Sequence, residues 1–245
     1  MYSGPFIIIA AHHKAGSTYA KKCFCEISKR LHSQLVIYGH DELPNNELLS
    51  NRQCRFLLFT HARLRDLIEC TRILGSGNCR ILHIIRDPRT LILSACLYHL
   101  RSSEPWLAVP RDRFGGLSYQ SVLKSFSTLE EKLIFEMKNG AKNAILDMHA
   151  IHSSGLSTVA VRIEELSWDY TRKTHEKLAK YLFLEQKNVD ICTSILSSHS
   201  LCSMDVLPLH CTTQLCLEAD LALPATARNV YREMFGCLHT TLGYT

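Results

Sequence analysis

Phe6-Ile-Ile-Ile-Ala-Ala-His-His-Lys-Ala-Gly-Ser-Thr-Tyr19 restricts the fold more than any other stretch of the chain. Ile7, Ile8 and Ile9 form a β-branched run of the kind that fills a strand covered on both faces. After Lys14-Ala-Gly-Ser-Thr18, apolar residues return at Ala20, Cys23, Phe24, Ile27 and Leu31, one face of a helix that starts near Ser17. Such a helix start aims unpaired backbone N–H groups and a positive dipole end into the turn, so an anion suits it. Lys14 adds a mobile charge, and residues 12–30 carry five Lys or Arg against Glu26 alone. The Lys precedes the Gly, so this is not the Gly-x-x-x-x-Gly-Lys-Ser/Thr loop of nucleoside triphosphate enzymes. An ordinary βα turn with a solvated lysine is the plain alternative.

Other strand and helix patterns alternate with this unit. Strands are expected at 6–11, 35–38, 55–60, 80–85 and 157–162, and helices at 17–32 and 89–101. That order implies an α/β fold, a parallel sheet wrapped by helices. Asp87-Pro88 marks a helix start with Asp as N-cap, and Thr128-Leu-Glu-Glu131 offers a capping box for a helix ending near Gly140. Residues 102–117 hold two prolines, a Gly pair, Trp106 and Phe114, and read as a long loop suited to a lid. Two amphipathic stretches, 171–183 and 225–238, close the chain, while 192–224 gives no clear pattern.

With 245 residues, 46% of them hydrophobic, the expectation is a single domain over 1–245. No run of eighteen apolar residues and no cleavable leader is present, so a soluble, cytoplasmic protein is expected, with no membrane partner. The eleven cysteines include no Cys-x-x-Cys pair and read as buried thiols in a reducing compartment. Cys23/Cys25 and His210/Cys211/Cys216 match no common zinc spacing, so no metal is expected. A net charge of +5, spread along the chain, suits a small anion rather than nucleic acid.

Arg86 stands at the C-terminal end of the 80–85 strand, with Ser94 eight residues on. Ligands collect at that edge of a parallel sheet, and a guanidinium fork with a nearby hydroxyl can hold a phosphate. A surface Arg paired with a carboxylate is the plain reading of Arg-Asp-Pro-Arg. Two anion sites on one edge suggest a nucleotide phosphorylated at both ends.

These residues resemble the sulfotransferase family. His-Lys-Ala-Gly-Ser-Thr-Tyr19 is similar to its 5′-phosphosulfate loop, and Ile84-Ile-Arg-Asp-Pro-Arg-Thr-Leu-Ile-Leu-Ser94 to its 3′-phosphate motif. Phe59-Thr-His61 resembles the segment that carries the catalytic histidine in cytosolic members, and Val161-Arg-Ile-Glu-Glu-Leu166 and Leu242-Gly-Tyr244 resemble bacterial-type stretches. The resemblance covers most of 1–185 and the extreme C-terminus.

It implies a three-layer sandwich with a central, mainly parallel β-sheet flanked by helices, the P-loop-NTPase-like sulfotransferase fold. The implied donor is 3′-phosphoadenosine-5′-phosphosulfate (PAPS), the product PAP, and the acceptor a hydroxyl or amine of a small molecule. Lys14 would contact the phosphosulfate and steady the leaving oxygen. Ala15, Gly16, Ser17 and Thr18 would hold the 5′-phosphate, Tyr19 would stack on adenine, and Arg86 and Ser94 would bind the 3′-phosphate. His61 would be the general base, a role that histidine chemistry supports independently because an acceptor hydroxyl is a poor nucleophile at neutral pH. A histidine satisfying its own strand end is the plain reading of His61, and His12 and His13 are lesser rivals.

Three departures stand out. Phe59 replaces the Lys that commonly precedes Thr-His, Ile163 replaces a frequent tyrosine, and no Arg-Lys-Gly segment is found, so either the cofactor is held more weakly or Arg111, Arg113 or Arg228 takes its place. A catalytically silent nucleotide-binding module and, less favoured by the Lys–Gly order, a P-loop kinase are the other readings. Trp106 and Phe114 could stack on an acceptor or simply pack. A homodimer is an open arrangement.

Overall fold

Residues 2–40, 42, 53–203 and 223–245 are described by the computed structural model. Five strands form one sheet: β1 (Phe6–Ala10), β2 (Gln34–Tyr38), β3 (Cys54–Phe59), β4 (Cys79–Ile85) and β5 (Thr158–Arg162). Their order is β2-β3-β1-β4-β5 and every pairing is parallel. The apolar runs explain this: parallel strands are buried on both faces, and all five residues of β1 are buried.

Alternation along β1 divides its side chains between two cores. Ile7 and Ile9 join Phe24 and Ile27 of α1 (Ser17–Arg30), and Leu178 and Leu182 of a later helix, Lys173–Leu182. Ile8 and Ala10 face the other way, against Leu67 and Cys70 of α2 (Leu64–Leu74) and Ile151. Helices therefore flank the sheet on both sides, the α/β architecture the sequence implies.

The remaining helices are α3 (Pro88–Arg101), the short α4 (Pro105–Ala108), α5 (Tyr119–Ser125), α6 (Leu129–Lys138), α7 (Gly140–His152), α8 (Ile163–Ser167), α9 (Lys173–Leu182), α10 (Gln186–Ser198) and α11 (Ala225–Thr241). Asp87 caps α3 as expected, accepting from the Arg89 N–H at 2.8 Å. The Thr128–Glu131 capping box is complete in both directions. The helix it starts ends at Lys138, and Gly140 then opens α7, a helix the sequence pattern does not announce.

Contacts group the chain into two compact units. The first takes in the residues through Arg86 and those from Asp147 to the turn Leu201–Ser203, and holds the whole sheet. The second runs from Asp87 to Leu146 and includes α11. In it, the 102–117 stretch is tied down: Trp106 lies 5.1 Å edge-on to His99, Phe114 5.5 Å from Phe135, and Tyr119 joins the same ring cluster. Trp106 and Phe114 therefore pack. The described cysteines are all unbridged thiols, with Cys23, Cys54, Cys70, Cys96 and Cys192 buried. His210, Cys211 and Cys216 lie outside the described residues.

Candidate active site

Three neighbouring parallel strands end together at one edge of the first unit. The chain leaves β1 at Ala10, β3 at Phe59 and β4 at Ile85, and β1 lies between the other two. Backbone bonds then stitch the first two exits: the Ala11 N–H donates to the Phe59 carbonyl at 2.9 Å, and the Ala62 N–H to the Ala11 carbonyl at 3.0 Å. This places His61 beside the loop 12–16.

That loop turns twice with positive φ, at Lys14 (60°) and Gly16 (89°). Alternating backbone hand of this kind gathers successive N–H groups into a concavity that suits an anion. Gly16 is the N-cap of α1, provides no side-chain cap, and is followed by no acid in the first turn. Glycine is also required by space, since a Cβ there would come within 2.7 Å of Ile163 Cδ1. Ile163, in place of a tyrosine, is thus the residue against which the loop rests.

Arg86 closes the loop from the β4 side. It is 9% exposed, and its Nη1 donates to the Lys14 carbonyl at 2.7 Å. Ala15 is fully buried, whereas Lys14 and Ser17 are partly exposed and Thr18 is exposed. Backbone amides, two hydroxyls, an ammonium and a guanidinium are the donor set that a nucleotide with two anionic ends requires. Ser94 lies in α3 of the second unit, buried at 3% exposure.

Tyr19 is anchored on the core side of α1. Its hydroxyl donates to the Leu196 carbonyl at 3.0 Å, and its partly buried ring packs against the core between α1 and α10. Burial, above all, raises its pKa, so the phenol stays protonated. Phe59, where a lysine would be expected, is 1% exposed and stacks on Tyr38 at 4.9 Å. Arg111 and Arg113 lie over Trp106 and Phe114, at 5.6 and 4.6 Å.

His61 Nδ1 lies beside a hydroxyl. Thr60 Oγ1 is 3.1 Å from the Tyr38 carbonyl and 3.2 Å from His61 Nδ1, so when its proton is given to the carbonyl its oxygen accepts from the ring. The neutral imidazole then carries its proton on Nδ1 and its lone pair on Nε2. His13 stacks on His61 at 5.6 Å with 16° between the planes, and His40 approaches edge-on at 5.6 Å. Sequence reasoning missed His40. The signal lay in register: His13, His40 and His61 each follow closely after the end of an adjacent strand, β1, β2 and β3.

His12 turns inward. It is 1% exposed, and its Nε2 lies 2.9 Å from Nε2 of His83, a fully buried residue of β4. Burial, and then the nearby charge of His61, push His12 down to about 3, which removes it from the rivals for a base near neutral pH. Among the described residues, no group of three or more His, Cys, Asp or Glu is placed to hold a metal ion, and no helix is long and apolar enough to cross a membrane.

No protein-family model matches the chain, and no curated protein matches it. Among solved structures it is similar to mouse sulfotransferase SULT7A1 complexed with PAP, with 15% identity and a TM-score of 0.57, over 96% of this chain and 83% of that one. The likeness extends to the fold: a parallel sheet flanked by helices on both sides.

Proposed function

We propose that this protein is a sulfotransferase that moves a sulfuryl group from PAPS to a hydroxyl or amine of a small-molecule acceptor. The observation that carries the reading is the junction of three strand ends, where the Lys14–Gly16 loop, Arg86 and His61 are tied together by backbone bonds and by the Arg86–Lys14 hydrogen bond. The shared fold with a PAP-complexed sulfotransferase supports it.

The donor set fits PAPS, which when bound supplies a sulfuryl group on an already stabilised leaving group. The amides of Ala15 to Thr18 and the Ser17 and Thr18 hydroxyls hold the 5′-phosphate, at a helix N-terminus that favours negative charge. Lys14 keeps its ammonium near the oxygen on which charge grows during transfer, the arrangement that lowers such barriers most. Arg86 takes the 3′-phosphate. His61 accepts the acceptor's proton at Nε2, with Nδ1 turned to the Thr60 hydroxyl at 3.2 Å.

Binding and turnover test this together. Adenosine 3′,5′-bisphosphate should bind in preference to ATP, and His61→Ala should lose turnover by roughly a hundredfold or more while keeping that binding. Preference for ATP would reject the reading in favour of a kinase, and unchanged turnover in His61→Ala would remove the base. Absence of any sulfuryl transfer across an acceptor screen read by mass, with bisphosphate binding intact, would leave a silent binding module.

A further inference from the structure

His83 stands within β4 in the run Ile81-Leu82-His83-Ile84-Ile85, all of it buried and otherwise apolar. It lies opposite Ala10 of β1 and two residues after Ile81, which puts it on the face of the sheet that carries Ile8, Ala10 and Ile81. Such a strand has no packing need for an imidazole, and a polar ring buried there is costly unless it is hydrogen-bonded. His12 supplies the bond, Nε2 to Nε2 at 2.9 Å. The transfer scheme uses neither ring.

His12 opens the turn that shapes the anion loop. The Ala15 N–H donates to the His12 carbonyl at 3.0 Å, and between them Lys14 bends the chain at φ 60°. Glycine or asparagine is the usual occupant of such a corner, so a lysine stays left-handed only where its surroundings hold it. The chain of β4 holds it at two points. Arg86 Nη1 donates to the Lys14 carbonyl at 2.7 Å and His83 binds the His12 ring, so residues three apart at one strand end grip residues two apart in the loop. Burial keeps both rings neutral, as a single N–H···N bond requires.

We propose that His83 is a positioning residue for the anion loop: through His12 it fixes the first corner of the His12–Ala15 turn, holds Lys14 in its left-handed backbone conformation, and so aims the Lys14 ammonium and the amides that follow it at the ligand. The inference rests on the reading of this loop as the cradle for the 5′ end of the nucleotide. It does not depend on which residue is the base.

Two readouts on the full chain test it. One is the intraresidue HN–Hα nuclear Overhauser effect of Lys14 in the ligand-free protein, which is strong only at positive φ. The other is the affinity for adenosine 3′,5′-bisphosphate, measured by calorimetry. His83→Leu keeps the volume and removes the bond; the Lys14 signal should weaken and the bisphosphate should bind about tenfold less tightly, the equivalent of one lost hydrogen bond. His83→Gln, which again offers a polar group to His12, should restore both. Lower stability by itself moves neither readout in a protein that is folded at the temperature of measurement. His12→Leu breaks the same contact from the loop side and serves where His83→Leu does not fold. Native Lys14 signal and native affinity in His83→Leu would overturn the proposal, as would a His83→Gln protein as impaired as His83→Leu. A wild-type chain that ignores the bisphosphate counts against the nucleotide reading instead, and the Lys14 signal then decides this proposal alone.

Discussion

His12 and His83 meet Nε2 to Nε2 at 2.9 Å in the interior, and His83 Nδ1 has no hydrogen-bond partner among the described residues. One ring donates and the other accepts, so the pair is stable only while at least one ring is neutral. Burial is the main cause that lowers both, His12 to about 3 and His83 well below its ordinary value. In the unfolded chain both titrate near 6.5. The unfolded state therefore binds more protons below that pH, and the stability present above about 6.5 drains away as pH falls toward about 3. Denaturant unfolding at a series of pH values should show a flat region above 7 and, between 6 and 4, a loss of up to about 1.4 kcal/mol per pH unit for each histidine. His12→Asn should flatten that slope. A stability profile level from pH 7.5 to 4.5 would mean that the pair is not held neutral.

Gly16→Ala tests the loop by two separable routes. The positive φ of 89° strains any L-residue, and the new Cβ would press on Ile163 Cδ1 at 2.7 Å. Together these should cost about 1–3 kcal/mol, with weakened bisphosphate binding. Ile163→Val removes Cδ1 and leaves Cγ1 at 3.0 Å, so in the double variant part of the contact cost should return while the backbone part stays. Full recovery would show that φ strain matters little here.

Strand positions were legible because apolar β-branched runs have few other uses: 80–85 and 157–162 fall within one residue of β4 and β5. Helices were less so. Gly140 reads as a terminator, yet it is a packing residue, since a Cβ there would come within 2.2 Å of Glu136 Oε1 and 2.4 Å of the Tyr119 hydroxyl. The helix α10 hides in a Cys- and Ser-containing stretch because its partners, Phe24 and Ile27 among them, are distant in sequence. The loop, His61 and Arg86 could be read because each directly follows a strand. The packing of Tyr19 was legible as well: it precedes Cys23 and Ile27 at intervals of four, on the buried stripe of α1. Pairings such as His12 with His83 arise from register, 71 residues apart, and no local pattern announces them.

Tyr119→Phe isolates a buried polar contact in the second unit. Glu136 is fully buried; its Oε2 accepts from the Tyr119 hydroxyl at 2.7 Å and from His99 Nδ1 at 3.0 Å, while Oε1 has no hydrogen-bond partner among the described residues. Loss of one donor from a carboxylate that is already short of partners should destabilise by about 1–3 kcal/mol, more than the net worth of an ordinary hydrogen bond. Glu136→Gln keeps the shape, and with Tyr119→Phe it should give a double-mutant cycle with clear coupling. Additive costs would show that the phenol and carboxylate do not depend on each other.

Thr60 is expected to act through His61 as a positioning residue. With its hydroxyl proton on the Tyr38 carbonyl, its oxygen accepts from His61 Nδ1, the arrangement that keeps the lone pair on Nε2. Thr60→Val preserves the shape and β-branching but removes the acceptor, so the ring can carry its proton on either nitrogen and can rotate. Turnover should fall by about tenfold, a part of what a positioned base contributes. The pH dependence of kcat should shift, because in the proposed transfer the imidazolium would lose the oxygen that accepts from Nδ1. The KM for PAPS and the affinity for adenosine 3′,5′-bisphosphate should stay unchanged, since neither depends on the tautomer. Thr60→Ser restores the hydroxyl and should recover most of the turnover. A Thr60→Val enzyme with native turnover and an unmoved pH profile would show that His61 needs no such anchor, and equal losses in the Ser and Val variants would reduce Thr60 to a packing residue at the end of β3.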